Sequence, residues 1–282
     1  MKLLYGARNA YPLLSKPISS LASQISRWSS EADRRLQAMY DFLAKNSELS
    51  LLGCLSHRDL EHVKIVAYPD SDLGGDIWNS KSTTGYWVEL AGLEGRTFPL
   101  AWCARFQTST STHTCESETV ALAEVLKKEV LPLKILLEGI LGRKVCAEIM
   151  EDNSACITSC EKGFSPAMRY IGRTQKVNLG FLHDVMFPEI SEDPLDIAIT
   201  ANRAGGDSSK DISLLKVETS LQKGDLFTKD MDRVRFEQCA EMIGMIDQRK
   251  LNELITLAAA RQTPGIKSLL ASVLDRLSLI HI

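Results

Sequence analysis

No apolar run in these 282 residues reaches the roughly 18 needed to cross a membrane as a helix, and the first residues lack the layout of a secretory leader. The expectation is a soluble protein that is not exported and has no membrane partner. No CxxC pair occurs among the seven cysteines, and no histidine stands at zinc spacing to them. An odd, scattered set of this kind implies free thiols in a reducing compartment. Cys156 and Cys160, four apart, read as small apolar residues sharing a buried helix face. A positive field is also missing: 33 Lys and Arg stand against 36 Asp and Glu, for a net charge of −3. Any grip on phosphate must therefore come from local patches. What is present is core material, with 44% hydrophobic and 24% charged residues, enough for one large or two modest cores.

The stretch KIVAYPDSDLGGDIWNSK, Lys64 to Lys81, organises the chain. Its apolar run Ile65 to Tyr68 predicts a strand that hands Asp70 and Asp72 to a sharp Gly74-Gly75 turn. Thr83 to Ala91 and Phe98 to Arg105 read as two further strands, and tight connections make the three an antiparallel meander. A hydroxyl-rich run, Gln107 to Thr114, leads into a helix from Glu116, with Ala121, Leu122, Val125 and Leu126 on its apolar side and Pro132 interrupting it. Lys144 to Met150 is strand-like and ends at Glu151-Asp152-Asn153. Helices follow over Ser154 to Cys160 and Val177 to Met186, then an acidic surface loop from Pro188 to Asp211. Asp211 to Val217 is a fifth strand, Ser220 caps a helix holding Asp225, and Arg233 to Met245 is amphipathic. Upstream, EADRRLQAMYDFLAKN behind Ser29 and Ser30 is an amphipathic helix in search of a partner surface.

The motifs YPDSDLGGD, KSTTGYWVEL, PLAWCARFQTSTSTHTCESETVAL, IMEDNSA, RTQKV and LQKGDLFTKDM follow one another without large gaps. As a set they resemble the ribonuclease H region of copia-type retrotransposon Pol polyproteins, over roughly Lys64 to Met245. More faintly, YGARNAYPLLSKPISSLASQISRW is similar to the last helical part of the reverse transcriptase in such polyproteins. The resemblance implies a polyprotein fragment with the α/β ribonuclease H-like fold: a mixed five-stranded sheet with helices on both faces, and helical segments at the two ends. The implied organisation is a reverse transcriptase-like helical region over residues 1–47, a connector over 48–63, the ribonuclease H-like domain over 64–247 and a helical tail over 248–282. No aromatic-x-Asp-Asp turn is present, so polymerisation is not expected. The setting implied is intracellular, in the cytoplasm or a virus-like particle.

By the same resemblance, Asp70, Glu118, Asp152 and Asp225 converge on one sheet edge as catalytic residues and metal ligands. Carboxylates that close stay ionised only if cations neutralise them, and Mg²⁺, a hard oxygen-seeking ion, suits them, with Mn²⁺ as a substitute. Two such ions about 4 Å apart would support phosphodiester hydrolysis of the RNA strand in an RNA–DNA hybrid. Asp70 is preferred to Asp72 because it directly follows the strand, and Glu118 to Glu116 because it aligns with Leu122 and Val125. Gln107, Ser109, Ser111 and Thr114 are candidate donors to a minor groove, and Arg169, Arg173 and Lys176 a candidate phosphate-binding cluster. Three departures from the family pattern stand out. Pro69 predicts an early strand end, Thr119 replaces an aromatic, and Gly224 replaces an alanine and loosens its helix. The alternative reading is a catalytically degraded module that docks on the reverse transcriptase region of the same polyprotein.

Overall fold

The computed structural model describes residues 2–76, 80–188, 211–249 and 251–253. The surface loop expected between Pro188 and Asp211, and the helical tail expected beyond residue 253, lie outside the described residues. The chain begins with α1 (Lys2–Asn9), α2 (Ser15–Ala22) and α3 (Ser30–Lys45), then the short strand β1 (Leu49–Leu51). β2 (Lys64–Asp72), β3 (Thr83–Ala91) and β4 (Thr97–Phe106) form the expected meander. A long helical passage follows, made of α4 (Thr114–Val125), a π-helical turn over Leu126–Val130, and α5 (Leu131–Leu141). The π turn lies directly before Pro132, whose ring nitrogen has no hydrogen to bond back along the helix, so the interruption is absorbed as a widened turn. Then come β5 (Ala147–Glu151), α6 (Ser154–Lys162), α7 (Ile171–Thr174), α8 (Leu179–Met186), β6 (Ile212–Lys216), α9 (Arg233–Met242) and β7 (Met245–Asp247).

The five-stranded sheet runs β4-β3-β2-β5-β6, antiparallel on the meander side and parallel across β2, β5 and β6. This is the ribonuclease H-like fold, with helices on both faces. Strand alternation sorts the core. Tyr86, Val88 and Leu90 of β3 join Ile65, Ala67 and Ile149 under Leu122, Val125 and Leu182 of the helices. Trp87 faces the other way and packs with Phe227, Leu226 and Cys239, while Trp102 stacks on it at 5.6 Å between ring centroids. Cys156 and Cys160 are both fully buried, as their spacing predicts.

Two expectations change. β2 does not stop before Pro69 but pairs with β3 as far as Asp72 and Thr83. Its pairing with β5 ends at Ala67, and the carbonyl of Pro69 accepts a hydrogen bond from Gln222, whose amide also reaches Met150 O on β5. The donor that proline lacks thus points to the side where the ladder has already opened, and costs nothing. The second change concerns the N-terminal helices. Their apolar side is not left open: Leu36, Met39 and Leu43 of α3 pack with Ile18 and Leu21 of α2, and Phe42 reaches Phe236 of α9. Ser19 donates to Ala104 O on β4 at 2.6 Å, and Trp102 Nε1 to Ala7 O at 2.8 Å. Leu13, 3% exposed, shares a core with Trp87 and Phe227. Residues 1–47 therefore cover the sheet face opposite α4.

Leu13→Ala should destabilise the whole chain by about 2–5 kcal/mol, the ordinary cost of emptying a buried leucine site. Urea denaturation followed by tryptophan fluorescence measures it. An unchanged midpoint would mean that the N-terminal helices are not part of this core.

Candidate active site

Asp70 lies at the far end of β2, fully buried, paired with Gly85 of β3. Glu118 lies in the second turn of α4, which His113 caps by accepting from Glu116 N. Asp152 directly follows β5. Ligand oxygens from these three carboxylates lie within 4.8 Å of one another. Glu118 is 3% exposed, and its Oε2 has no hydrogen-bond partner. A buried carboxylate with an unpartnered oxygen, grouped with two other carboxylates, is what a hard cation would satisfy, so the residues present fit a divalent ion.

Asp225, the fourth predicted member, is on a 3-10 turn (Lys223–Phe227) and not on an α-helix. Its turn is capped by Gln222, which accepts from Gly224 N. Both carboxylate oxygens of Asp225 are engaged: Lys229 donates to Oδ1 at 2.5 Å and Arg235 to Oδ2 at 2.9 Å. Lys229 also reaches Asp70 Oδ1 at 3.1 Å, and Thr228 donates to Asp70 Oδ2. The expected loosening at Gly224 is replaced by a close approach. A Cβ there would stand 2.7 Å from Tyr68 O and 2.8 Å from Asp70 Cβ, so only glycine lets this turn lie flat on the end of β2.

The charges shape one another. Burial raises Asp70 to about 7, with Lys229 pulling it back and Asp225 pushing it further. Burial first, then the charges of Asp70, Glu151 and Asp152, raise Glu118 to about 11. Burial alone would lower Lys229, but the charge of Asp70 and the bond to Asp225 outweigh it and raise its pKa. Asp72, two residues beyond Asp70 on the same face of β2, turns instead to Lys16 of α2 at 3.8 Å. Glu116 accepts from the backbone and hydroxyl of Thr112, which leaves Glu118 as the inward member of that pair.

The predicted substrate contacts divide. Gln107 is buried and spent internally, donating to Thr84 Oγ1 and Ser117 O and accepting from Ser111. Ser109 donates to Thr174 O. Thr114, Arg169, Arg173 and Lys176 are exposed, with Arg169 over the ring of Tyr170. Gln175 ties their segment to the hydroxyl loop through Thr110 O and Ser111 Oγ. Residues that sequence reasoning missed are Lys229, Thr228, Arg235, Gln222 and Glu151. Glu151 is fully buried behind the cluster, and burial raises its pKa well above the carboxylate range. Its position was readable, since period two from Ala147 and Ile149 turns Glu151 toward the core. A groove of about 340 Å³ beside α2 is lined by Lys16, Ser20, Asp76, Arg105, Lys229 and Asp230, and meets the carboxylate corner through Lys229 and not through the carboxylates themselves.

Fold and corner together define a ribonuclease H-like module with a carboxylate cluster at the end of its first and fourth sheet strands. Compared with known proteins, the chain is 28% identical over 181 residues to the retrovirus-related Pol polyprotein from transposon TNT 1-94 of Nicotiana tabacum, covering 64% of this chain. The chain is thus related to retroelement Pol polyproteins, and it spans 11% of that relative's length. No family model matches it. Among solved structures, a prototype foamy virus protease-reverse transcriptase aligns over 68% of this chain and 22% of its own, with 11% identity and a TM-score of 0.26, a likeness too slight to carry an argument. Among the described residues no helix is long and apolar enough to cross a membrane.

Two outcomes follow from this geometry. Gly224→Ala should cost about 1–3 kcal/mol, because the added methyl meets backbone that has to move; denaturant melts would show it, and an unchanged stability would contradict the close approach. Glu118 binds its proton more tightly folded than unfolded, so its contribution to stability is complete below its ordinary pKa of 4.5 and is lost as pH rises toward 11. In EDTA the unfolding free energy, and with it the melting temperature, should fall from about pH 5 to about pH 9, the free energy by no more than about 1.4 kcal/mol per pH unit from this group. Glu118→Gln should make that fall shallower, and an identical slope in the variant would refute it.

Proposed function

We propose that this chain is an endonuclease that hydrolyses the RNA strand of RNA–DNA hybrids with a bound divalent cation, Mg²⁺ or Mn²⁺. The observation that carries the reading is the three-carboxylate corner of Asp70, Glu118 and Asp152, with its unpartnered Glu118 oxygen, at the end of the parallel strands. Relation to retroelement Pol polyproteins supports the substrate class, since hybrids are what a reverse-transcribing element produces. The reverse transcriptase region of the same polyprotein is the proposed protein partner.

Asp70, Glu118 and Asp152 would hold the cation. When bound, such an ion polarises a phosphate oxygen and acidifies a coordinated water. Burial and the neighbouring carboxylates raise the pKa of Glu118, so holding a cation would require it to shed a proton, and uptake would be coupled to proton release. Thr228 and Lys229 fix the Asp70 carboxylate, and Gln222 fixes the turn that carries them. Lys229, which contacts Asp70 and Asp225, also lines the groove beside α2 with Lys16 and Arg105. Of the predicted contacts, Thr114, Arg169, Arg173 and Lys176 remain on the surface for substrate, while Gln107 and Ser111 support the helix that carries Glu118.

The rival reading, a retained fold that docks without cleaving, draws on one observation: both oxygens of Asp70 are already hydrogen-bonded. A labelled RNA–DNA hybrid assay with and without Mg²⁺ separates the two. Asp152→Asn should abolish cleavage with the fold intact, and near wild-type turnover would sink the assignment. Asp70→Asn should be silent at any Mg²⁺ concentration, whereas Asp72→Asn, whose carboxylate faces Lys16, should keep measurable activity; the reverse ranking would move the first ligand to Asp72.

A further inference from the structure

We propose that this site takes a single divalent cation and that the Lys229 ammonium is its fixed second cation. The inference rests on reading the carboxylate corner as a cation site, and it departs from the two-ion arrangement on a specific point. In that arrangement a second ion would sit between Asp70 and Asp225. That place holds the Lys229 ammonium, 3.1 Å from Asp70 Oδ1 and 2.5 Å from Asp225 Oδ1.

Lys229 is built into this position. Its backbone N–H bonds Asp225 O at 2.9 Å, so the turn that presents the carboxylate also aims the ammonium at it. The other oxygen of Asp225 is held by Arg235, whose guanidinium is fixed in turn by Ser220 O at 2.7 Å and Thr219 O at 2.9 Å. A second ion would have to displace an ammonium with two carboxylate partners and strip Asp225 of a charge-assisted bond. Charge points the same way. The four carboxylates Asp70, Glu118, Asp152 and Asp225 are balanced by one divalent ion, one ammonium and one guanidinium, whereas a second divalent ion in place of the ammonium leaves one net positive charge.

The test counts ions on the full chain. After stripping with EDTA, Mn²⁺ binding is followed by titration calorimetry and electron paramagnetic resonance, neither of which needs turnover. The wild type should bind one Mn²⁺ with the spectrum of an isolated ion. Lys229→Arg, which keeps the charge, should also bind one. Lys229→Met, checked for an intact melting transition, should bind two, with spin coupling between neighbouring ions. Two ions in the wild type, or two in Lys229→Arg, would overturn the proposal, as would a folded Lys229→Met that binds only one. Should Lys229→Met not fold, the wild-type and Lys229→Arg counts decide. Asp152→Asn separates the underlying reading: if it binds Mn²⁺ as the wild type does, or if the wild type binds none, the cation site itself is wrong. Two wild-type ions that Asp152→Asn loses would refute only the role of Lys229 as the second cation.

Discussion

Asp70 has Glu118 and Asp152 on one side and Asp225 on the other, at the end of a buried strand where water does little to screen them. Like charges this close are tolerated only when protons or fixed cations offset them. Much of the surrounding structure follows from that need. Lys229 and Arg235 take the Asp225 side, Thr228 takes an oxygen of Asp70, and burial keeps the proton on Glu118. To bring Lys229 there, the turn over Lys223–Phe227 has to lie on the strand end, which requires Gly224 and the anchoring amide of Gln222.

The sheet was legible in the sequence because its strands are short runs rich in apolar, β-branched and aromatic residues bounded by turn residues, with burial alternating cleanly in β5, and β3 falls on the residues its pattern predicted. Errors arose where a local rule met a tertiary exception. Pro69 signals a strand end, but its missing donor faces a gap between β2 and β5, so pairing with β3 runs on. GDLFTK suggests an α-helix, yet contact with Asp70 forces a tighter turn. In the candidate site, carboxylates at element ends are visible as a pattern, whereas Lys229 and Arg235 become meaningful only once the fold brings β2 beside them. The hydroxyl run misled for the same reason, since the partners of Gln107 and Ser111 come from β3, α4 and Gln175.

Relation to a Pol polyprotein makes the N-terminal helices notable. Amphipathic α3 looked like a face awaiting a polymerase, yet α1, α2 and α3 close on each other and on the sheet. Lys16 links the two regions chemically, donating to Thr228 O and pairing with Asp72 and Asp230. One wall of the groove that Lys229 lines is therefore made by residues far upstream in the chain.

A smaller feature has a mechanical side. β1 and β7 form a separate two-stranded ladder, antiparallel, with Leu49 opposite Asp247 at the outer end and Leu51 opposite Met245 at the inner. The clasp ties the segment that follows α3 to the segment that follows α9. The antiparallel register puts the chain before Leu49 and the chain after Asp247 at the same end of this ladder. Because α2 and α3 also pack on the sheet and on α9, force on the upstream segment would reach the sheet through Leu13, Ser19 and Phe42 as well as through the clasp.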